Sequence, residues 1–395
     1  MDDKKAFEKY KSKAEQGDPG AMNSLGISYE FGRGTEPDVN AAAAWYRKAA
    51  KLGHVRAMYN LGRCYENGRG VWKDVKGAAT WYKKAAELGS VKAMRKLGVC
   101  YETGEGVPAD KKAAVKWYKK AAKLGHAGAM NDLGLCYEYG TGVPEDKKTA
   151  TKWYEKAAKL GHAEAMFDLG NCYEKGKGVP TDTAAAVSWY RKAAERGDAR
   201  GMNRLGLCLE FGTGVPKNAE EAFEWYRRSA DKGNVPGMFY LAFSYEDGSG
   251  VPKDGRAALK WYRRAAKKGH GNAMNRLGRC YENGIGTQKD EEAAFNWYGR
   301  GAEFGSPWAM YNHGRCYENG IGTPKDPAGA VAYYKRAVKE HEHVASMERL
   351  GFCYENGIGV EADCSAALEW YDRAAEQGDE DAEEAAERLR KKIRA

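Results

Sequence analysis

No stretch of this 395-residue chain approaches the ~20 consecutive apolar residues that a membrane-spanning helix requires, which argues against membrane insertion. The opening Met1-Asp2-Asp3-Lys4-Lys5 leads into a charged segment and has no apolar core of a secretory signal, so a cytoplasmic protein is expected. Histidine is scarce, at seven residues, and no nucleophile stands with a base, no metal-ligating triad occurs and no phosphate-cradling loop follows a strand. A non-enzymatic chain with neither cofactor nor metal is expected.

What the chain has instead is a period. Trp45-Tyr46, Trp81-Tyr82, Trp117-Tyr118, Trp153-Tyr154, Trp189-Tyr190, Trp225-Tyr226, Trp261-Tyr262 and Trp297-Tyr298 recur every 36 residues, followed by Tyr333-Tyr334 and, one residue late, Trp370-Tyr371. A repeat of this length marks stacked supersecondary units, each packing only on its neighbours, so one solenoid overrides the two or three domains that length alone would suggest. Ten units fit between residues 18 and 378; residues 1–17, with Tyr10 in register, and 379–395 read as capping helices.

Within residues 54–89, Ala57, Leu61 and Tyr65 lie at i, i+4 and i+8, while Ala78, Trp81, Tyr82, Ala85 and Ala86 mark a second apolar stripe. Each unit is therefore two amphipathic helices, A and B, joined by a short loop, with the adjacent Trp and Tyr of helix B both expected in the repeated core that sets the stacking period. Asp38, Asp74, Asp110 and their equivalents, with Asn218 in one unit, supply the N-cap oxygen of helix B. Gly53, Gly89 and their equivalents follow helix B, where left-handed backbone is needed. The next position starts helix A with Asp, Ser or Asn, or with His54, His126, His162, His270 or His343; place in the repeat, rather than chemistry, accounts for these histidines. The Gly-x-Gly of each A–B loop reads as turn residues, and Gly62, Gly98 and Gly134 inside helix A as sites of close approach beneath a Trp or Tyr ring. Eight of the nine cysteines share one repeat position and read as small buried apolar groups, since a disulfide framework would place two in each unit. The net charge of +9 comes mostly from pairs such as Lys83-Lys84 and Arg263-Arg264, spread evenly enough for a solvated outer face, which makes nucleic acid an unfavoured partner.

The pattern Ala-Met-x-x-Leu-Gly-x-Cys-Tyr-Glu-x-Gly-x-Gly-Val, then Asp, then Ala-x-x-Trp-Tyr-x-Lys-Ala-Ala-x-x-Gly, resembles the Sel-1-like repeat (SLR), a relative of the tetratricopeptide repeat, over essentially the whole chain. The resemblance implies an all-α, right-handed α/α superhelical solenoid with helix A lining the concave side. It implies adaptor or scaffold roles, including protein quality control, regulation of cell-wall synthesis and bacterial interaction with hosts. The secreted, cysteine-rich branch of the family pairs two cysteines per unit, which this chain does not.

Positions that repeat are those the stack demands, and positions that vary are free for a partner. On helix A the varying positions fall at i, i+4 and i+8, along one face. Among them are Tyr59, Arg63 and Asn67; Arg95; Asn131 and Tyr139; Phe167 and Asn171; and Asn203 and Phe211. Further along they are Phe239 and Phe243; Asn275 and Arg279; Tyr311, Arg315 and Asn319; and Phe352. This mixture of aromatics, Arg and Asn is that of binding surfaces, and it suits a protein or extended peptide. Alternatives are a polysaccharide stacked on the aromatics and an acidic polymer on the basic convex face. The in-register glutamates, from Glu30 and Glu66 to Glu355, are expected to meet loop N–H groups or a helix B cation. His313 in a position held elsewhere by Leu, Tyr333 for Trp, and the insertion near His341-Glu342-His343 mark an irregular junction. Oligomeric state is left open.

Overall fold

The computed structural model describes residues 3–394, and among them every regular element is an α-helix. They divide into two compact units, the first ending at Asp198 and the second beginning at Ala199. In the first, α1 (Asp3–Glu15) precedes five A–B hairpins: α2 (Pro19–Phe31) with α3 (Val39–Lys51), α4 (Val55–Asn67) with α5 (Val75–Glu87), α6 (Val91–Thr103) with α7 (Lys111–Lys123), α8 (Ala127–Tyr139) with α9 (Lys147–Lys159), and α10 (Ala163–Lys175) with α11 (Thr183–Glu195). In the second, α12 (Ala199–Phe211) pairs with α13 (Ala219–Asp231), α14 (Val235–Asp247) with α15 (Gly255–Lys267), and α16 (Gly271–Asn283) with α17 (Glu291–Glu303). There follow α18 (Pro307–Asn319) with α19 (Pro327–His341), α20 (Val344–Asn356) with α21 (Cys364–Ala375), and the closing α22 (Glu380–Arg394). The chain is a helical solenoid of ten repeats.

The ends of these helices are set by side chains. Asp38 accepts hydrogen bonds from the backbone N–H groups of Asn40 and Ala41, and Asp74 accepts from Gly77, as N-caps do. Helix A is capped differently. In four repeats an imidazole does the work: Nδ1 of His54, His126, His162 and His270 accepts from the backbone N–H three residues on, at 3.1 to 3.3 Å. A ring nitrogen that accepts must be unprotonated, so these caps exist only in the neutral form.

The two aromatics of each repeat part company. Tyr46, Tyr82, Tyr118 and their equivalents are wholly buried between helices A and B, as expected. The tryptophans correct the expectation that both rings lie in the core, because most are only half-buried. Each instead carries on its outer face the cation three residues later, such as Lys48 over Trp45 at 4.1 Å and Arg264 over Trp261 at 4.5 Å. The basic pairs are thus partly committed to aromatic faces rather than simply solvated, and Lys119 and Arg263 reach the tyrosine of the following repeat, Tyr137 and Tyr281.

Close approach explains two glycines of most repeats; Ala242 takes the place of the first in one of them. A Cβ on Gly62 would lie 2.6 Å from Cε1 of Tyr82, so the ring can press on helix A only because no side chain intervenes. The second loop glycine joins neighbouring repeats: a Cβ on Gly70 would sit 1.9 Å from the carbonyl oxygen of Val39, at the start of the preceding helix B. That glycine is more than a turn residue; it sets the distance between repeats.

The irregular junction is local and compensated. His313 occupies the core position of Leu, stacks on Phe295 at 4.4 Å and places Nδ1 3.2 Å from the Phe295 carbonyl oxygen. Room for it comes from Gly299, where other repeats mostly carry a long charged side chain; a Cβ there would lie 2.9 Å from the imidazole. Tyr333, in place of Trp, packs edge-on against the same ring at 4.6 Å. The insertion lengthens α19 to 15 residues and leaves Glu342 at φ 50°, the one non-glycine with positive φ among the described residues. His343 then starts α20 without capping it, its Nδ1 lying 2.9 Å from Ser346 Oγ.

Candidate partner-binding surface

The in-register glutamates are structural, but the expected partner was the wrong one. Each accepts from the buried tyrosine of its own helix B, sixteen residues on: Tyr46 to Glu30 at 2.7 Å, Tyr82 to Glu66 at 2.7 Å, Tyr262 to Glu246 at 2.6 Å. A cation from the next repeat completes most sites, as with Lys96 on Glu66 at 2.9 Å and Arg315 on Glu282 at 2.6 Å. Burial and the adjacent carboxylate push these tyrosine hydroxyls far above their ordinary range, so they remain donors. The sequence signal was the constant spacing of Glu and Tyr.

With that column explained, the varying positions of helix A separate into residues spent on the stack and residues left open. Tyr59, Phe167, Phe239 and Tyr311 lean on the buried Tyr82, Tyr190, Tyr262 and Tyr334 with ring centroids 5.7 to 5.9 Å apart. Asn67 and Asn319 donate back to the carbonyl four residues earlier and so finish their own helix. Asn171 accepts from Tyr190, and Arg95 holds Asp132 through two hydrogen bonds of 2.6 and 3.1 Å. Arg63 and Arg315 pair with Glu30 and Glu282. Phe243 and Phe352 lie beneath Arg276 and Arg349. Asn131 and Asn203 are buried, each with an Oδ1 that meets no donor among the described residues. Tyr139 and Phe211 end their helices 67% and 63% exposed. Arg279 is exposed, and its guanidinium has no hydrogen-bond or ion-pair partner among the described residues.

A neighbouring column, one residue further along helix A, was missed. Asn60 donates to Asn23 at 3.0 Å, Asn312 donates to Asn275 at 2.8 Å, and Arg276 pairs with Glu246 at 3.4 Å. These bonds link successive A helices. The signal that would have found the column is the same one, variation from repeat to repeat, and it was read for only three positions of the helix.

Where these columns meet, each unit has an open groove across three successive A helices. In the first unit a groove of about 780 Å³ includes Asn23, Tyr59, Asn60 and Arg63 in its walls, with Arg56 and Lys92 at helix starts. In the second, one of about 490 Å³ is lined by Phe239, Asn275, Arg276, Arg279, Tyr311 and Asn312, with Asn272 and Trp308 at helix starts. The two grooves share six repeat positions: Asn23, Arg56, Tyr59, Asn60, Arg63 and Lys92 in the first correspond to Phe239, Asn272, Asn275, Arg276, Arg279 and Trp308 in the second. No carboxylate is among the residues lining either.

Elsewhere the chemistry is quiet. The eight in-register cysteines are buried and outside any disulfide, and burial pushes the Cys136 thiol up to about 12. No cluster of three metal-ligating side chains occurs among the described residues, and no helix there is long and apolar enough to cross a membrane.

Comparison with known proteins places these observations. The Sel1 repeat model matches ten segments: residues 19–54, 55–90, 91–126, 127–162, 163–198, 199–234, 235–270, 271–306, 309–340 and 344–379. A crystal structure of a protective antigen present in uropathogenic Escherichia coli strains, described as displaying an SLR fold, is 33% identical, with a TM-score of 0.63 over 98% of this chain and 90% of that one. A Sel1 repeat protein from Oxalobacter formigenes is 31% identical, with a TM-score of 0.59 over 78% of this chain and 90% of that one. A search of curated proteins finds no match.

Proposed function

This chain belongs to the Sel1 repeat family, and on that premise we propose that it is a non-enzymatic scaffold binding an extended segment of a protein along the helix A face. Repeat solenoids of this kind are typically protein-interaction scaffolds. The observation that carries the reading is the coincidence between the residues that vary and the open grooves, repeated in both units at six shared repeat positions. A surface that served only the stack would spend all of its varying side chains on neighbours. Here Arg56, Lys92 and Arg279 line open space instead, and Trp308 keeps about half of its surface open although it also packs on Tyr311 and His343. The grooves are preformed between rigid helices, so a partner would meet little ordering cost on the scaffold side.

The test is affinity purification with mass spectrometry, using the full chain and two variants, Arg56→Glu/Lys92→Glu and Arg279→Glu/Trp308→Ser, with melting temperature measured alongside. A partner protein whose capture falls at least tenfold in one variant, at unchanged melting temperature, supports the reading. Glycan binding without any such protein overturns it.

A further inference from the structure

The groove of the second unit differs from the rest of the helix A face in having one uncompensated charge beside one exposed large ring. We infer that it takes an extended peptide in which an acidic side chain stands next to a bulky apolar one, an inference that rests on the helix A face being the binding surface.

The charge follows from pairing in the column. Arg63, Arg279 and Arg315 occupy equivalent positions. Arg63 is held by Glu30 at 3.4 Å and Arg315 by Glu282 at 2.6 Å, each a glutamate of the preceding repeat. The glutamate that would serve Arg279 by the same rule is Glu246, and Arg276 already takes it at 3.4 Å. Arg276 is further anchored over the Phe243 ring at 4.9 Å. Arg279 is therefore left exposed in the groove wall, where its fork of donors matches a carboxylate.

The ring follows from the helix start. At the position of Trp308 the other repeats carry Gly20, Arg56, Lys92, Gly128, Glu164, Arg200, Pro236, Asn272 and Ala345, so the aromatic is peculiar to this groove. Trp308 is 53% exposed and meets Tyr311 edge-on with centroids 6.4 Å apart. Phe239 faces the same space from two repeats earlier. Exposed aromatics walling a concavity are the usual anchors of a protein interface.

Between charge and rings lie amides that can hold a main chain. The Asn275–Asn312 bond uses one acceptor and one donor, and Asn272 accepts from Ser306 Oγ at 2.7 Å; each amide keeps further hydrogen-bonding capacity. Three helices at the usual spacing of 8–10 Å span roughly 20 Å, which an extended chain covers in about six residues.

The experiment uses the full chain as bait for a phage-displayed library of random hexapeptides, selected in parallel on wild type, Arg279→Glu and Trp308→Ser. Both side chains are exposed, and circular dichroism melts confirm that the variants fold. Wild type is expected to enrich Asp or Glu adjacent to Leu, Phe or Trp, and Arg279→Glu to lose the acidic preference while keeping the apolar one. A synthetic winner should bind at least tenfold more weakly when its carboxylate is replaced by the amide. Winners that depend on Trp308 but not on Arg279 overturn the acidic assignment and leave the groove as a peptide site. Winners that depend on neither overturn the use of this groove altogether. A groove that instead retains single-stranded RNA, with loss on Arg279→Glu, also overturns the inference.

Discussion

Tyr118 donates its hydroxyl proton to Oε2 of Glu102 at 2.7 Å, tying the buried ring of one helix to the carboxylate near the end of its partner. The same bond recurs in the other repeats, yet the carboxylates differ in what else they hold. Glu318 also takes two hydrogen bonds from Arg349, whereas Glu102 has Tyr118 as its one hydrogen-bond partner among the described residues. Tyr118→Phe should therefore strand a half-buried carboxylate and cost about 1–3 kcal/mol, and Tyr334→Phe should cost less because Arg349 remains. Urea unfolding of the two variants checks the order. Equal losses would mean that the cation contributes nothing.

Gly98 is the position where helix propensity and packing disagree most plainly. An alanine there would gain about 1 kcal/mol of propensity, but its Cβ would stand 2.4 Å from Cε1 of Tyr118. Overpacking of this kind costs about 1–3 kcal/mol, so Gly98→Ala is expected to lower the melting temperature. Ala242 occupies the equivalent place beside Tyr262 and is wholly buried, which shows that a repeat can be built around the methyl group when its other residues suit it. The prediction is therefore about this repeat with its present neighbours, and a rise in melting temperature would refute it.

How much of this was legible beforehand divides along the period. The helices, their Asp caps, the left-handed glycines after helix B and the buried cysteines all follow from residues that recur, because the same packing problem is solved ten times. The Tyr–Glu bond was visible as a constant spacing, but its partner was misjudged because helix-dipole reasoning looks along the helix rather than across to the facing one. The tryptophans were misplaced for a related reason. An apolar stripe does not distinguish the ring at its centre from the ring at its edge, and only the lysine or arginine three residues later, as in Lys84 over Trp81 at 4.6 Å, marks the edge. Of the expected surface residues, those such as Asn67 and Arg63 that bond locally could not be told from the open ones, since Arg63 and Arg279 look alike until the competition for Glu30 and Glu246 is resolved.

Thiol chemistry offers a direct check on the core. Eight cysteines are buried, and burial holds the thiols of Cys280, Cys316 and Cys353 up at about 12, where no thiolate is available near neutral pH. Cys364 alone is exposed. A disulfide-exchange reagent at pH 8 should titrate one thiol per chain rapidly and all nine after denaturation. Several fast thiols in the native protein would contradict the packing of helix A against helix B.

Acid should loosen this fold earlier than carboxylate protonation alone would allow. Burial lowers the pKa of the capping histidines His54, His126, His162 and His270, and holds His313 and His343 at about 4. A lowered folded-state value means that the unfolded chain takes up protons near pH 6.5 while the folded chain does not. The stability these neutral rings confer is therefore complete above pH 6.5 and is lost as pH falls toward 4. For His313 and His343 the displacement corresponds to about 3 kcal/mol each. Glu282 and Glu318, whose burial raises their carboxyls but is outweighed by the hydrogen bonds from tyrosine and arginine that hold them low, contribute losses only below their ordinary range near 4.5. Between pH 7 and 5 the histidines should dominate, and His313→Leu, which restores the side chain found in the other repeats, should flatten the decline in melting temperature across that interval. Because Gly299 leaves space suited to the imidazole, the variant should lie within about 1.5 kcal/mol of wild type at pH 7.5. An unchanged pH slope in the variant would show that His313 is not held neutral by its burial against Phe295.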